Sequence, residues 1–211
     1  MWTIIDGMPR QITTEEQLRA VVGHPSEYVA NKVADRLAPI HREWLAHSRL
    51  AFVATTDAAG RVDVSPKGDP AGFVHILDDT TIAIPERPGN KRVDGYLNVL
   101  QRPSVGTIFV VPGRGDTLRI NGQARIVADA DYFDVMAVNG NQPILALEIN
   151  VEDVFFHCAK AFLRSDAWQP ETWKPDAVPS TAEIAHQIRK DADFKQLEEY
   201  YSEANYRKLL Y

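Results

Sequence analysis

TLRINGQARI, residues 117–126, alternates cleanly between apolar and polar side chains. Leu118, Ile120, Ala124 and Ile126 fall on one side of an extended backbone, and Thr117, Arg119, Asn121, Gln123 and Arg125 on the other. A period of two with one apolar side is what a half-buried strand requires, because successive side chains leave the pleat on opposite faces. Residues 144–156 repeat the pattern, with Leu145, Leu147, Ile149 and Val151 opposed to Glu148, Asn150 and Glu152. Upstream, 50–55, 61–65, 73–77 and 81–85 read as strands separated by the turns Asp57-Ala58-Ala59-Gly60 and Asp78-Asp79. Residues 105–111 are apolar nearly throughout, which predicts a strand buried on both sides. Links this short make antiparallel neighbours. The expected fold is mainly β with flanking helices (α+β), about six antiparallel strands closing or nearly closing into a barrel rather than a doubly wound sheet.

Helices lie outside this run. Thr13-Thr14-Glu15-Glu16-Gln17 offers a hydroxyl cap and an acidic first turn to a helix whose apolar side is Leu18, Val21 and Val22. A second helix is expected over 26–37 and a third after Pro39, through Trp44. Residues 90–100 read as helical, with Val93, Leu97 and Leu100 on one face. Beyond Trp168, Pro170, Pro175 and Pro179 punctuate a linker, and 181–190 and 193–210 read as charged amphipathic helices covering the barrel or a partner subunit. The expected organisation is a helical segment over 1–48 packing on the barrel, a barrel domain over 49–168, and a linker with C-terminal helices over 169–211.

Composition excludes several functions. A net charge of −6 over 211 residues argues against nucleic-acid binding, which depends on neutralising phosphates with a basic surface. Cys158 is the only cysteine, so neither an intrachain disulfide nor a multi-thiolate zinc site can form, and a reducing cytoplasm is the expected compartment. Residues 1–17 show no basic start followed by a long apolar run, so neither a signal peptide nor a membrane span is expected there. His24, His41, His47, His75 and His186 lack metal-ligand spacing, and no metal is expected. Cys158 beside His157 reads as a buried small residue rather than a nucleophile. Gly113 and Gly115 mark a hairpin turn, since no helix follows them to make a nucleotide loop.

The second informative stretch is PERPGNKRVDGYLN, residues 85–98, where Arg87, Lys91 and Arg92 surround an expected helix start in an acidic chain. Free backbone N–H groups and the positive end of a helix favour an anion, and cations in a first turn are otherwise unfavourable. Ser65-Pro66-Lys67-Gly68-Asp69 ends an earlier strand, and if that strand lies near 81–85, Lys67 and Arg87 can converge on one phosphate. The competing reading makes these ordinary surface cations, some paired with Glu86 and Asp94.

Taken in order, Val64 to Asp69, Ile84 to Arg92, Asn98 to Pro103 and Thr117 to Ala124 resemble the pyridoxamine 5'-phosphate oxidase-like flavoproteins, over roughly residues 45–168. The resemblance implies a six-stranded split barrel that binds FMN at a homodimer interface. It places Val64, Ser65, Pro66 and Lys67 beside the flavin ring and ribityl chain, gives backbone contacts to Ile84 and Pro85, and assigns the phosphate to Lys91 and Arg92, shared with Arg87 and Asn90. Thr117 and Arg119 would reach the flavin from the other subunit. If residues 157–168 are helical, Lys160, Arg164 and Trp168 line a substrate pocket over the ring; otherwise they are a solvated face and a packing anchor. Authentic members of the family end in a Trp- and Arg-rich segment, whereas this chain ends Tyr206-Arg207-Lys208-Leu209-Leu210-Tyr211, so the vitamin-B6 reaction is not implied. The expected activity is an FMN-dependent oxidoreductase taking electrons from a small-molecule substrate or reductant. The alternatives are a non-catalytic flavin carrier or electron-transfer protein, and a split-barrel relative using a deazaflavin or haem, the latter disfavoured because no histidine has a ligand context.

Overall fold

The computed structural model describes residues 10–211. Residues 1–9 fall in the stretch over which no leader was expected and lie outside the described residues. The chain divides at Val33/Ala34. In the first unit, α1 (Glu15–Val22) is capped by the Thr14 hydroxyl, which accepts from the Gln17 N–H at 3.3 Å, and α2 (Glu27–Ala30) by the Ser26 hydroxyl, which accepts from Val29 N–H at 3.4 Å.

The helix expected over 26–37 therefore stops early. In the second unit, Ala34 and Val154 exchange backbone hydrogen bonds of 3.0 and 2.8 Å, and Leu37 N–H donates to Asp79 O at 2.7 Å. These bonds hold the segment extended, overriding its helical preference. At α3 (Pro39–His47), His41 Nδ1 accepts the Ala38 N–H at 3.1 Å, which needs an unprotonated ring nitrogen; burial holds the His41 pKa below its ordinary value. This helix buries Trp44 and Leu45, and the Trp44 indole donates to Phe109 O at 3.3 Å.

Seven strands follow in one sheet, where about six were expected for the barrel, and the one read over 73–77 shortens to two residues: β1 (Leu50–Thr56), β2 (Val62–Gly68), β3 (His75–Ile76), β4 (Thr81–Glu86), then α4 (Asp94–Gln101), β5 (Ser104–Val110), β6 (Thr117–Val127) and β7 (Leu145–His157). Their order is β2-β1-β5-β6-β7-β4-β3, every pair antiparallel. The opening stretch sits at the centre as β6. Its even-numbered side chains Leu118, Ile120 and Ala124 join Val53, Phe109, Ile82, Ile84 and Ile149 in the core. Gly122 meets a register shift against β7, where an added Cβ would lie 1.9 Å from Asn150 O, so only glycine fits.

The two ends of the sheet treat their outer faces differently. Over β4 and β7, the 3-10 helix Asp131–Met136 packs Phe133 and Met136 onto Ala83 and Ala146. It also buries Glu148, which alternation had assigned to the polar side; there Tyr132 Oη donates to Glu148 Oε1 at 2.8 Å and Arg125 Nε–H to Oε2 at 2.6 Å. Over β2, β1 and β5 the outer face is open, leaving Phe52, Val62, Val64 and Ile108 exposed. The strand at 105–111 is thus not buried on both sides throughout: Val110 is covered, but among the described residues nothing covers Ile108 on the same side.

After β7 come α5 (Lys160–Arg164), α6 (Thr181–Ile188), α7 (Phe194–Tyr201) and α8 (Glu203–Tyr206). The helix expected over 193–210 breaks at Ser202, whose hydroxyl accepts from Asn205 N–H at 3.3 Å and starts a new helix. The α6 and α7 pair buries Ala182, Ala185 and Leu197 between its members. Among the described residues no helix is long and apolar enough to cross a membrane.

Candidate functional site

Alternation along β2 sends Asp63, Ser65 and Lys67 to the core-facing side, opposite Thr55, Val53 and Ala51 of β1. Along β4 the same rule puts Glu86 on the side of Ile82 and Ile84. These two strands lie toward opposite ends of the sheet order, and no backbone ladder joins them. Side chains span the gap. Lys67 Nζ pairs with Glu86 Oε2, and Arg87 Nε–H donates to Asp69 Oδ2 at 2.8 Å. Arg87 also donates to Met136 O at 2.6 Å and Asn141 O at 3.2 Å, and its guanidinium lies 5.4 Å from the centre of the Tyr211 ring. The Tyr211 hydroxyl in turn donates to Asp69 Oδ1 at 2.8 Å. The barrel's split is bridged by charge pairs whose side chains are only 12% and 3% exposed for Arg87 and Asp69, and 15% and 17% for Lys67 and Glu86.

Beside the split, between β2 and the approach to α4, lies a cleft of about 480 Å³. The approach is a turn. Asn90 Oδ1 accepts the Arg92 N–H at 3.0 Å, and Lys91 (φ 63°) and Val93 (φ 50°) are left-handed. The expected helix start at 90 is therefore displaced to Asp94: the Asn90 side chain takes an N–H away from the helix, and left-handed residues cannot propagate one. Lys91 and Arg92 stand in front of α4 rather than inside its first turn. The N-terminus of α4 carries no side-chain cap. Gly95 lets that end approach the sheet closely, for a Cβ there would sit 3.4 Å from Thr55 Oγ1 and 3.8 Å from Ser65 Oγ.

The face of α4 turned inward carries Tyr96, Asn98 and Val99; Leu97 and Leu100, expected inside, are exposed. Asn98 Nδ2 donates to Thr55 Oγ1 at 3.1 Å and Asp63 Oδ2 at 2.7 Å, fixing helix to sheet. Tyr96 Oη donates to Glu86 Oε2 at 2.8 Å, and Lys67 Nζ lies 5.0 Å from the Tyr96 ring centre. Burial pushes the Tyr96 phenol far above its usual range, and the neighbouring Glu86 carboxylate adds to the rise. At the other end of the cleft Arg92 is three-quarters exposed and donates to Asp94 Oδ2 at 2.7 Å. Lys91 makes no ion pair among the described residues.

Of the residues singled out from the sequence, Val64, Ser65, Pro66, Lys67, Arg87, Asn90, Lys91 and Arg92 line this cleft. Lys67 and Arg87 do not converge on a shared anion; each binds a carboxylate from across the split. Ile84 and Pro85 are buried in β4, outside the lining. Thr117 and Arg119 occupy the outer face, where Arg119 lies over the Phe155 ring at 5.4 Å and donates to Asn121 Oδ1 at 3.0 Å. Lys160, Arg164 and Trp168 do not join the cleft: α5 ends after five residues, Asp166 turns left-handed, and Trp168 stacks on Phe162 while donating to Arg114 O at 2.7 Å. Cys158 is exposed, not buried as expected, because it follows the end of β7. Thr55, Asp63, Tyr96 and Asn98 line or brace the cleft without having been named as site residues, and Glu86 had been named only as a pairing partner for the cations. Strand alternation carried the signal for Asp63 and Glu86, since it places them with Ser65 and Ile84.

The family model for pyridoxamine 5'-phosphate oxidase matches residues 37–158, more than half of the chain. The chain belongs to the pyridoxamine 5'-phosphate oxidase family. Its open antiparallel sheet is that family's split barrel, and the matched span holds α3, every strand, α4 and the whole cleft. HupZ of Group A Streptococcus is similar in structure, with 24% identity, 57% of this chain and 93% of that one covered, and a TM-score of 0.45. HutZ, the heme storage protein from Vibrio cholerae, is similar at 16% identity, 58% and 94% coverage and a TM-score of 0.39. An F420 reductase is similar at 19% identity, 57% and 98% coverage and a TM-score of 0.40. No curated protein matches the chain.

Proposed function

We propose that this family member binds FMN in the cleft between β2 and α4 and uses it as an oxidoreductase on a small-molecule substrate. The observation that carries the reading is the exposed Asn90-Lys91-Arg92 turn standing before an uncapped helix N-terminus at the mouth of a built cleft. Backbone N–H groups and two cations converge there, the donor set a phosphate selects. The cleft's volume falls within the usual ~300–1,000 Å³ of cofactor sites. Gly95 lets the helix N-terminus come close to the Ser65 and Thr55 hydroxyls, so that backbone N–H groups and hydroxyls lie along one wall of the cleft.

In this reading Lys91 and Arg92 hold the phosphate, Asn90 shapes the turn that presents them, and Ser65 and Thr55 face the ribityl chain. Val64 and Pro66 of β2 flank the ring, and Arg87 keeps the wall in place. Arg92 exchanges its Asp94 partner for phosphate oxygens, or shares itself between them. When bound, the flavin supplies the hydride and electron chemistry, and the protein's task is to orient it and shield it from water. The open outer face with Phe52, Val62, Val64 and Ile108 suits a homodimer. Register places Pro66, Phe52, Ile108 and Arg119 in one row across that face, and in this reading Arg119 and Thr117 reach the flavin of the other subunit across it.

FMN titrated into the purified protein is expected to lose fluorescence at saturation with a single flavin per chain, and the flavin should return to solution on denaturation. A parallel titration with haem or a deazaflavin that saturates while FMN does not would overturn the assignment. Turnover of a nicotinamide reductant by the loaded protein would support an enzyme; binding without reduction by any donor would identify a carrier.

A further inference from the structure

The cleft holds two kinds of cation. Lys91 and Arg92 stand in solvent on a turn, whereas Lys67 is enclosed with Glu86, whose carboxylate also accepts a hydrogen bond from the Tyr96 hydroxyl. We propose that Glu86, by holding Lys67 in an ion pair at the buried end of the cleft, excludes anionic groups there, so that the cleft admits an anion only at Lys91 and Arg92 and receives an uncharged group against Tyr96. This specificity reading rests on the assignment of Lys91 and Arg92 as the anion subsite.

The argument is one of available donors and uncompensated charge. A buried anion needs a cation that is not already neutralised, together with hydrogen-bond donors that are free. Lys67 and Glu86 sum to zero. The Tyr96 hydroxyl, which burial keeps protonated, donates inward to Glu86, so its proton does not face a ligand. Arg87, the other cation of the lining, is turned to Asp69 and two backbone carbonyls. Asp63 adds a further carboxylate along the same wall. An anion placed beside Tyr96 would meet one paired ammonium and the repulsion of Glu86. The surfaces that remain are the Tyr96 ring and the side chains of Val53, Ile144 and Leu147, which suit an uncharged, largely apolar group.

Inorganic phosphate, followed by ³¹P line broadening and calorimetry, separates the two ends. The Lys91→Ala, Arg92→Ala double variant removes the exposed subsite and is expected to show no phosphate binding. Adding Glu86→Gln to it frees Lys67 while keeping a partner for the Tyr96 hydroxyl, and phosphate binding is expected to appear, at an affinity about tenfold or more above the detection limit that the double variant does not reach. Adding Lys67→Gln as well should abolish the gain. No gain from Glu86→Gln in a variant whose circular dichroism and melting match the parent would overturn the proposal. So would phosphate binding by the double variant with Glu86 intact. Should the Glu86 variant lose its fold, stoichiometry in the unmodified protein still decides: a second phosphate per chain overturns the proposal, and a single phosphate that the Lys91, Arg92 pair accounts for supports it. FMN titration of the double variant reports separately on the flavin assignment, because it leaves Glu86 untouched.

Discussion

Arg87 and Arg92 lie five residues apart in one loop, yet the structure gives them opposite tasks. Arg87 is enclosed, spends its donors on Asp69, Met136 O and Asn141 O, and supports the Tyr211 ring. Arg92 is three-quarters exposed and pairs with the partly exposed carboxylate of Asp94. What separates them is the opposite strand: the end of β2 brings Asp69 into an ion pair with Arg87, while beyond the left-handed turn at Lys91 and Val93 Arg92 pairs with Asp94 and feels Asp63 of β2 only through its charge. A cluster of cations in sequence is therefore two populations in space, one mechanical and one able to bind.

The largest effect should come from breaking the enclosed member. Arg87→Ala leaves Asp69 buried without its partner and two carbonyls without a donor, and should cost about 3–5 kcal/mol of stability, read as a shift in the urea midpoint. A midpoint unchanged within error would mean the split is held by other contacts. Next, the Lys91→Ala, Arg92→Ala variant should weaken FMN binding by about tenfold or more while leaving the midpoint almost unmoved, since besides charge-assisted bonds to the ligand it removes the exposed Arg92–Asp94 pair, which contributes little to stability. Unchanged FMN affinity would remove the binding half of the contrast. Tyr211→Phe deletes the hydroxyl that donates to Asp69, and about 1 kcal/mol of stability should go with it, without change in FMN affinity. The smallest effect is expected from Asp94→Asn. By releasing Arg92 from an exposed pair it should tighten FMN by about twofold to fivefold, and a loss of affinity instead would show that Asp94 positions the arginine.

Much of the fold could be read from local pattern. The alternation at 117–126 located the central strand and its buried face, and the apolar runs and turns around it supplied the remaining strands and the antiparallel, mainly β architecture. Most of the cleft lining from 64–67 and 87–92 was likewise named from the order of its residues. The misses have one physical origin. Glu148 was placed in solvent because the strand pattern cannot see the 3-10 helix that later folds over it, and residues 31–37 were read as helix because their pairing partner, Val154, is far along the chain. Leu97 and Leu100 were assigned to a core that α4 meets instead through Tyr96 and Asn98.

The sequence by itself determined which residues alternate, where the chain turns, and that basic groups gather before α4, because pleat, turn chemistry and capping act over a few neighbouring residues. Only the tertiary structure decided which of those basic groups could receive a ligand. That choice depends on which carboxylates face them across the split between β2 and β4, and strand ends meeting through side chains, without a backbone ladder, leave no periodicity to read.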